Sequence, residues 1–250
     1  MASVLHVSDL HFNRDWFGWV DANAHRHDLV CLAGDALDME SDTSLSEQVV
    51  WLATWLEKFQ RHGIPIAMCT GNHDVNPLDD AEGIPPELLS RLLATRNWMD
   101  AFNGDLVITD QENRVVPIDK NKLLVTTLPY HDEDADLRRR SKALWNEGTR
   151  LRTQHKIPWV VLAHLPPADS CIGDLGCDED LLRQIEDRQP DHVLCGHVHA
   201  RPYTAGGSWK DQIGRTFCYN PGYSRGKSAV PNHITIDTKT NKSQWFSNEP

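Results

Sequence analysis

Five short apolar runs in this 250-residue chain each lead into side chains able to hold a cation. Val4–Val7 is followed by Ser8-Asp9-Leu10-His11, Leu29–Ala33 by Gly34-Asp35-Ala36-Leu37-Asp38, and Ile64–Cys69 by Thr70-Gly71-Asn72-His73-Asp74. Trp159–Ala163 leads into His164, and His192–Cys195 into Gly196-His197-Val198-His199. A lone His-x-His means little, because 13 histidines produce roughly one such pair by chance. His25-Arg26-His27 is a second pair, in a polar segment without an assignable carboxylate partner. Mixed carboxylate, carboxamide and imidazole donors suit borderline ions (Mn, Fe or Zn), whereas Mg or Ca would take nearly all oxygen. Two such cations about 3.5–4 Å apart can activate a water and clamp the oxygens of an in-line displacement at phosphorus. Holding them that close calls for an anionic bridge, and Asp35, in the middle of the set, is the candidate. Gly34, Gly71 and Gly196 are expected to let the backbone turn sharply beside the ions.

Each of these runs reads as a largely buried strand, as does Leu123–Leu128, and ligands of open α/β sheets gather at the carboxyl ends of strands. Ser44 and Glu47 can form a capping box, after which Val49, Val50, Leu52, Ala53, Leu56 and Phe59 give a helical stripe that stops at Gly63. Pro85-Pro86 opens a second helix predicted to run to about Trp98. A charged third helix is predicted over about 134–154 and a fourth over about 178–187. Residues 106–130 and the tail after Arg215 alternate as hairpins do. Trp51 and Trp55, one helical turn apart, read as packing residues. Arg138-Arg139-Arg140 reads as a solvated helix face. Loops around 12–27, 75–85 and 130–136 are expected to select the substrate. No linker divides the chain, so residues 1–250 read as one domain.

The net charge of −11 argues against an extended nucleic-acid partner, which needs clustered Lys and Arg. Bound cations would reverse that sign locally, so a small phosphate ester fits. The chain has no basic start followed by a long apolar run and no apolar stretch near about 20 residues, so neither a secretory signal nor a membrane partner is expected. Six scattered cysteines, with Cys171 and Cys177 lacking the tight C-x-x-C spacing, suggest a reduced cytoplasmic protein. Nothing in the sequence specifies an oligomeric state.

The ordered series D-x-H, G-D-x-x-D, G-N-H-D, H and G-H-x-H, from Asp9 to His199, resembles the calcineurin-like metallophosphoesterase superfamily. Within it, the likeness is greatest to the small bacterial branch containing cyclic-nucleotide and glycerophosphodiester phosphodiesterases. Asn220-Pro221-Gly222 resembles a further turn common in that family, and the match covers about four fifths of the chain. It implies an α/β fold, a two-sheet sandwich with helices on both outer faces. It also implies that Asp9, His11, Asp35 and His199 hold one metal, and Asp35, Asn72, His164 and His197 the other, the pair being divalent or mixed-valence. His73 would face the substrate and assist the departing oxygen, with Asp38 orienting it. Asp74 stays open between such a role and a simple cap.

The implied reaction is hydrolysis of a small phosphodiester by in-line attack of a metal-bridging hydroxide. A phosphomonoesterase or a nucleotide pyrophosphatase is the alternative. Phosphoprotein phosphatases of the superfamily have Arg-Gly after the second aspartate and Glu after Asn-His. Met39-Glu40 and Asp74 here speak against that substrate. A non-catalytic protein-binding scaffold would have no physical reason to keep the whole donor set. Tyr130 and His131, after a strand, stay open between substrate contact and surface.

Overall fold

Strands that are apolar on both faces need cover on both sides, and the chain supplies it in four layers. The computed structural model describes residues 3–75, 77–79, 81–95, 97–118, 121–131, 134–173, 177–223 and 228–247. Its first half contains β1 (Ser3–Val7), α1 (Arg14–Asn23), β2 (Leu29–Ala33), α2 (Leu45–Phe59), β3 (Ile66–Cys69), α3 (Pro86–Leu93) and β4 (Val107–Ile108). Next come β5 (Glu112–Ile118), β6 (Asn121–Thr127), α4 (Ala135–His155), β7 (Trp159–Leu162) and α5 (Glu179–Arg188). The chain closes with β8 (His192–Leu194), β9 (Lys210–Ile213), β10 (Thr216–Tyr219), β11 (His233–Asp237) and β12 (Lys242–Phe246).

Two mixed six-stranded sheets result, in the orders β12-β11-β1-β2-β3-β4 and β5-β6-β7-β8-β10-β9. The central strands of each run parallel, and the hairpins expected from alternation, β5–β6 and β11–β12, are antiparallel. Val4, Leu29, Cys31 and Ala67 of one sheet meet Val125, Val160, Leu162 and Leu194 of the other in the buried interior. Opposite residues on the same strands, such as Leu5, Val30, Leu32 and Met68, pack under α1, α2 and α3. Trp159, Val161 and Val193 pack with Trp145 of α4 and with Leu181 and Ile185 of α5. Burying a Leu- or Val-sized side chain contributes about 1.5–3 kcal/mol, which explains why the runs are continuous rather than alternating. The α/β sandwich with helices outside both sheets is therefore the fold. Among the described residues, no helix is long and apolar enough to cross a membrane.

Three expectations need correction. Residues 12–27 are not a loop: Asn13 accepts hydrogen bonds from Asp15 N and Trp16 N and caps α1, which buries Trp16, Phe17 and Val20. Helix α3 ends at Leu93, short of Trp98, and Trp98 sits instead in a tight turn over Trp98–Phe102. There its indole Nε1 donates to the Asp74 carbonyl at 2.8 Å, a contact that a continuing helix would not make. The third apolar run is extended only from Ile66. The capping box of α2 forms as expected, and Trp55 is buried with Trp51 packed beside it.

Register brings the site together. Val7 pairs with Leu32 and Ala33 with Cys69, while Thr127 pairs with Leu162 and Leu162 with Leu194. The parallel strands thus end level with one another, and their following loops emerge side by side.

Candidate metal centre

All seven residues expected to hold metal lie within five positions of the end of β1, β2, β3, β7 or β8. The backbone there is strained. Of the ten described non-glycine residues with positive φ, four are among them: Asp9 (54°), His11 (42°), Asp35 (50°) and His197 (67°). Each such conformation costs on the order of 1–3 kcal/mol and persists only where surroundings impose it. Here the surroundings are cross-loop hydrogen bonds. Asp9 N donates to Gly34 O (3.1 Å), His11 N to Asp35 O (2.9 Å) and Gly196 N to His164 O (2.9 Å). His197 N donates to Asp9 Oδ1 at 2.9 Å and so ties one sheet to the other.

The side chains form two groups that share Asp35. In the first, the donor atoms of Asp9, His11, Asp35 and His199 all lie within 4.8 Å of one another. His11 Nε2 is 3.1 Å from His199 Nε2, and His199 Nε2 is 3.3 Å from Asp9 Oδ1. Two nitrogens each about 2.0–2.1 Å from one ion would stand about 3 Å apart, so the spacing fits a common ion. In the second group, Asn72 Oδ1 lies 2.9 Å from both His164 Nε2 and His197 Nδ1. Asp35 Oδ2 is 3.3 Å from His164 Nε2 and 3.8 Å from His11 Nε2. His164 Nδ1 donates to Ala33 O at 3.0 Å, which turns Nε2 toward the centre.

The electrostatics favour cations. Burial works to raise the Asp9 carboxyl, but its hydrogen bond to His199 and the charge of His164 carry it well below the usual range. Asp35 is lowered as well: burial opposes ionisation, and His164 overcomes it. Burial would lower His164, yet Asp35 and Asp9 push its pKa up to about 9. Burial lowers His11 and His197, while the bond to Asp9 raises His199 against its own burial.

Asp74 proves to be more than a cap. Buried at 1% exposure, it accepts from Gly71 N (2.8 Å), Leu37 N (2.8 Å) and Ala36 N (3.3 Å), and so joins the loops after β2 and β3. Burial, then the nearby charge of Asp35, pushes its pKa up to about 7.

His73 and Asp38 are neighbours of the first group, with His73 and His11 ring centroids 4.5 Å apart. The nearer partner of His73 Nδ1 is the Met39 backbone N–H, which donates to it at 3.1 Å and leaves the ring proton on Nε2. Asp38 Oδ1 stands farther off, at 3.5 Å, where it acts as a nearby negative charge more than as a hydrogen-bond acceptor.

The three glycines sit at the centre for different reasons. Gly34 needs both its φ of +83° and room, since a Cβ there would stand 2.2 Å from His164 Nδ1, whereas Gly71 has φ −116°. What Gly71 requires is room: a Cβ there would stand 2.1 Å from Asp35 Oδ1, and one at Gly196 would stand 2.5 Å from Asp9 Oδ2.

Tyr223 was not foreseen. Its ring stacks on His199 (centroids 4.7 Å apart, 23° between planes) and meets His11 edge-on. The signal was the preceding Asn220-Pro221-Gly222. Asn220 Oδ1 accepts from Gly222 N, and its amide donates to Val198 O between the two histidines. The Tyr130 ring is 6.1 Å from that of His164, and His131 Nε2 is 4.0 Å from Asp178. His25 and His27 lie at the opposite end of the first sheet, where His27 Nδ1 is 2.9 Å from the hydroxyl of Ser3, the first residue of β1.

The fold is similar to that of a solved structure from Thermus thermophilus, TT1561, with TM-score 0.65, 15% identity and 98% of each chain covered. A weaker likeness, TM-score 0.48 and 10% identity, is to a purple acid phosphatase from yellow lupin (Lupinus luteus) seeds, covering 96% of this chain and 52% of that one. No curated protein matches the sequence. The profile of the calcineurin-like phosphoesterases matches residues 2–201, which span every donor described above, and the chain belongs to that family of metal-dependent phosphoester hydrolases.

Proposed function

We propose that this chain is a two-metal phosphodiesterase for a small substrate, akin to the small bacterial branch with cyclic-nucleotide and glycerophosphodiester phosphodiesterases. The observation that carries this reading is Asp35, whose Oδ2 faces His11 on one side and His164 on the other. A carboxylate so placed can serve two cations at once. Asp9, His11, Asp35 and His199 would hold one ion, and Asp35, Asn72, His164 and His197 the other. Two carboxylates, one carboxamide and four imidazoles fit Mn, Fe or Zn better than Mg or Ca. Bound there, the ions would supply a water activated at neutral pH and positive charge for the phosphoryl oxygens.

The chain's own side chains supply the rest. His73, with its proton on Nε2, donates a hydrogen bond to the departing oxygen and so stabilises the charge that develops there, while the Asp38 carboxylate stands 3.5 Å from its Nδ1. Asp74 keeps the loops carrying Asp35 and Asn72 at fixed separation. The six cysteines form no disulfide among the described residues, and a reducing, cytoplasmic setting belongs to the same proposal.

Metal uptake should release protons. The folded pKa of His164, raised to about 9, keeps its ring protonated at pH 7, and a ligand must be neutral. Affinity for Mn²⁺ is therefore expected to rise with pH until about 9. Calorimetry at pH 7 in two buffers of different ionisation enthalpy should show net proton release. Equal heats in both buffers would contradict the assignment of His164.

The function itself is tested by hydrolysis of bis-p-nitrophenyl phosphate against p-nitrophenyl phosphate with Mn²⁺-loaded protein. The diester is expected to be preferred, and His73→Ala to lower its kcat by about 10²–10⁴-fold. Preference for the monoester would overturn the substrate class and leave the centre standing. No turnover and no metal uptake would overturn both.

A further inference from the structure

Beyond the centre, on the outer side of the second sheet, the first turns of α4 and α5 frame a hollow at the ends of β6 and β7. It consists of two contiguous cavities of about 530 and 420 Å³, which share Tyr130, Arg138, Leu165 and Arg183 in their walls. The smaller is lined by His197, a residue of the second donor group, and the larger extends away from it to Ser141 and Lys142. That volume is in the range of small-molecule sites, about 300–1,000 Å³.

Three properties of the hollow describe an occupant. Its walls include Leu128, Leu165 and Leu181, an apolar surface suited to a ring or short chain. Ser141, 8% exposed, also lines it, and its buried Oγ has no hydrogen-bond partner. A buried hydroxyl is almost always paired, so this one marks a place for a ligand atom. Finally, in a chain of net charge −11, Arg138 and Lys142 both line the larger cavity one helical turn apart on α4. Of the acids in the walls, Asp178 caps α5 by accepting from Leu181 N at 3.0 Å, Asp180 pairs with Arg183, and Glu179 lines the smaller cavity and not the larger one that holds Lys142.

We propose that this hollow binds the ester arm that stays on phosphorus, and that this arm is apolar next to the phosphate and anionic at its far end. The proposal rests on the phosphodiesterase reading above. His73 stands beside His11, so the leaving oxygen departs on that side. The hollow opens on the other side, past His197, where the retained arm would lie.

Two diesters with one leaving group test it: 4-nitrophenyl phenyl phosphate and 4-nitrophenyl 4-carboxyphenyl phosphate. In each, water adds to phosphorus, the bond to the nitrophenyl oxygen breaks, and 4-nitrophenolate and an aryl monophosphate leave. With Mn²⁺-loaded protein, kcat/KM is expected to favour the carboxylated ester by about tenfold, the scale of one partly desolvated charge pair. Lys142→Glu should erase that ratio. Arg150→Glu makes the same charge change at an exposed site farther along α4, outside the hollow, and should leave the ratio as it was. Equal rates for the two esters, or a ratio that both variants move alike, would overturn the hollow and leave the phosphodiesterase reading intact. Hydrolysis of neither ester would overturn both.

Discussion

In Mn²⁺-loaded Asp35→Asn protein, metal content is expected to fall from two ions per chain to less than one, with kcat/KM for a phosphodiester down by about 10³-fold or more. The substitution keeps the shape, and an amide oxygen can still accept from His73 N, the partner of Asp35 Oδ1 at 2.8 Å. What it removes is the one negative charge facing both His11 and His164. Without it, two cations would repel across a neutral amide. His199→Ala provides the contrast, because it strips one donor from the first group and leaves Asp35, Asn72, His164 and His197 in place. It should cost one ion and not two. Elemental analysis after gel filtration, beside steady-state kinetics, decides the matter. Retention of two ions by Asp35→Asn would mean that Asp35 is not the bridge.

Gly71→Ala is expected to damage the centre through a single added methyl group. The added Cβ would stand 2.1 Å from Asp35 Oδ1 and 2.5 Å from Asp35 N, so the loop after β2 or the loop after β3 must move. Asp74 holds those loops together through Gly71 N and Leu37 N, and the movement would break these bonds as well. Overpacking of this kind costs about 1–3 kcal/mol, and the displaced carboxylate should take metal binding with it. Gly63→Ala serves as the control: its φ is +67°, but nothing lies within 4 Å of the added carbon. It should cost about 1–2 kcal/mol through the left-handed backbone alone and leave metal content unchanged. Thermal unfolding with and without Mn²⁺ separates the two effects. A Gly71→Ala protein that binds two ions and melts like the parent would refute the crowding argument.

Much of this molecule was legible because it is locally encoded. Continuous apolar runs announced strands buried on both faces, and both ends of β2 could be read from Leu29–Ala33. The capping box at Ser44 announced α2. Helix α1 was missed because Gly18 and its polar residues blur a short apolar stripe of Trp16, Phe17 and Val20. The end of α3 was misplaced because Trp98 is held by the Asp74 carbonyl, a partner that no helical period reveals.

The site divides along the same line. Sequence alone determined which donors exist and the order in which strand ends present them, because each sits a fixed few residues past an apolar run. Only the tertiary structure decided which donors stand side by side. His11 and His199 are 188 residues apart in sequence, and His197 and Asn72 are 125 apart, yet both pairs are in contact because two sheets stack with their strand ends level. Close approach at Gly71, the stacking of Tyr223 on His199, and the hollow between α4 and α5 belong to that second class. Each depends on a distance between separate elements, which packing sets and local spacing does not record.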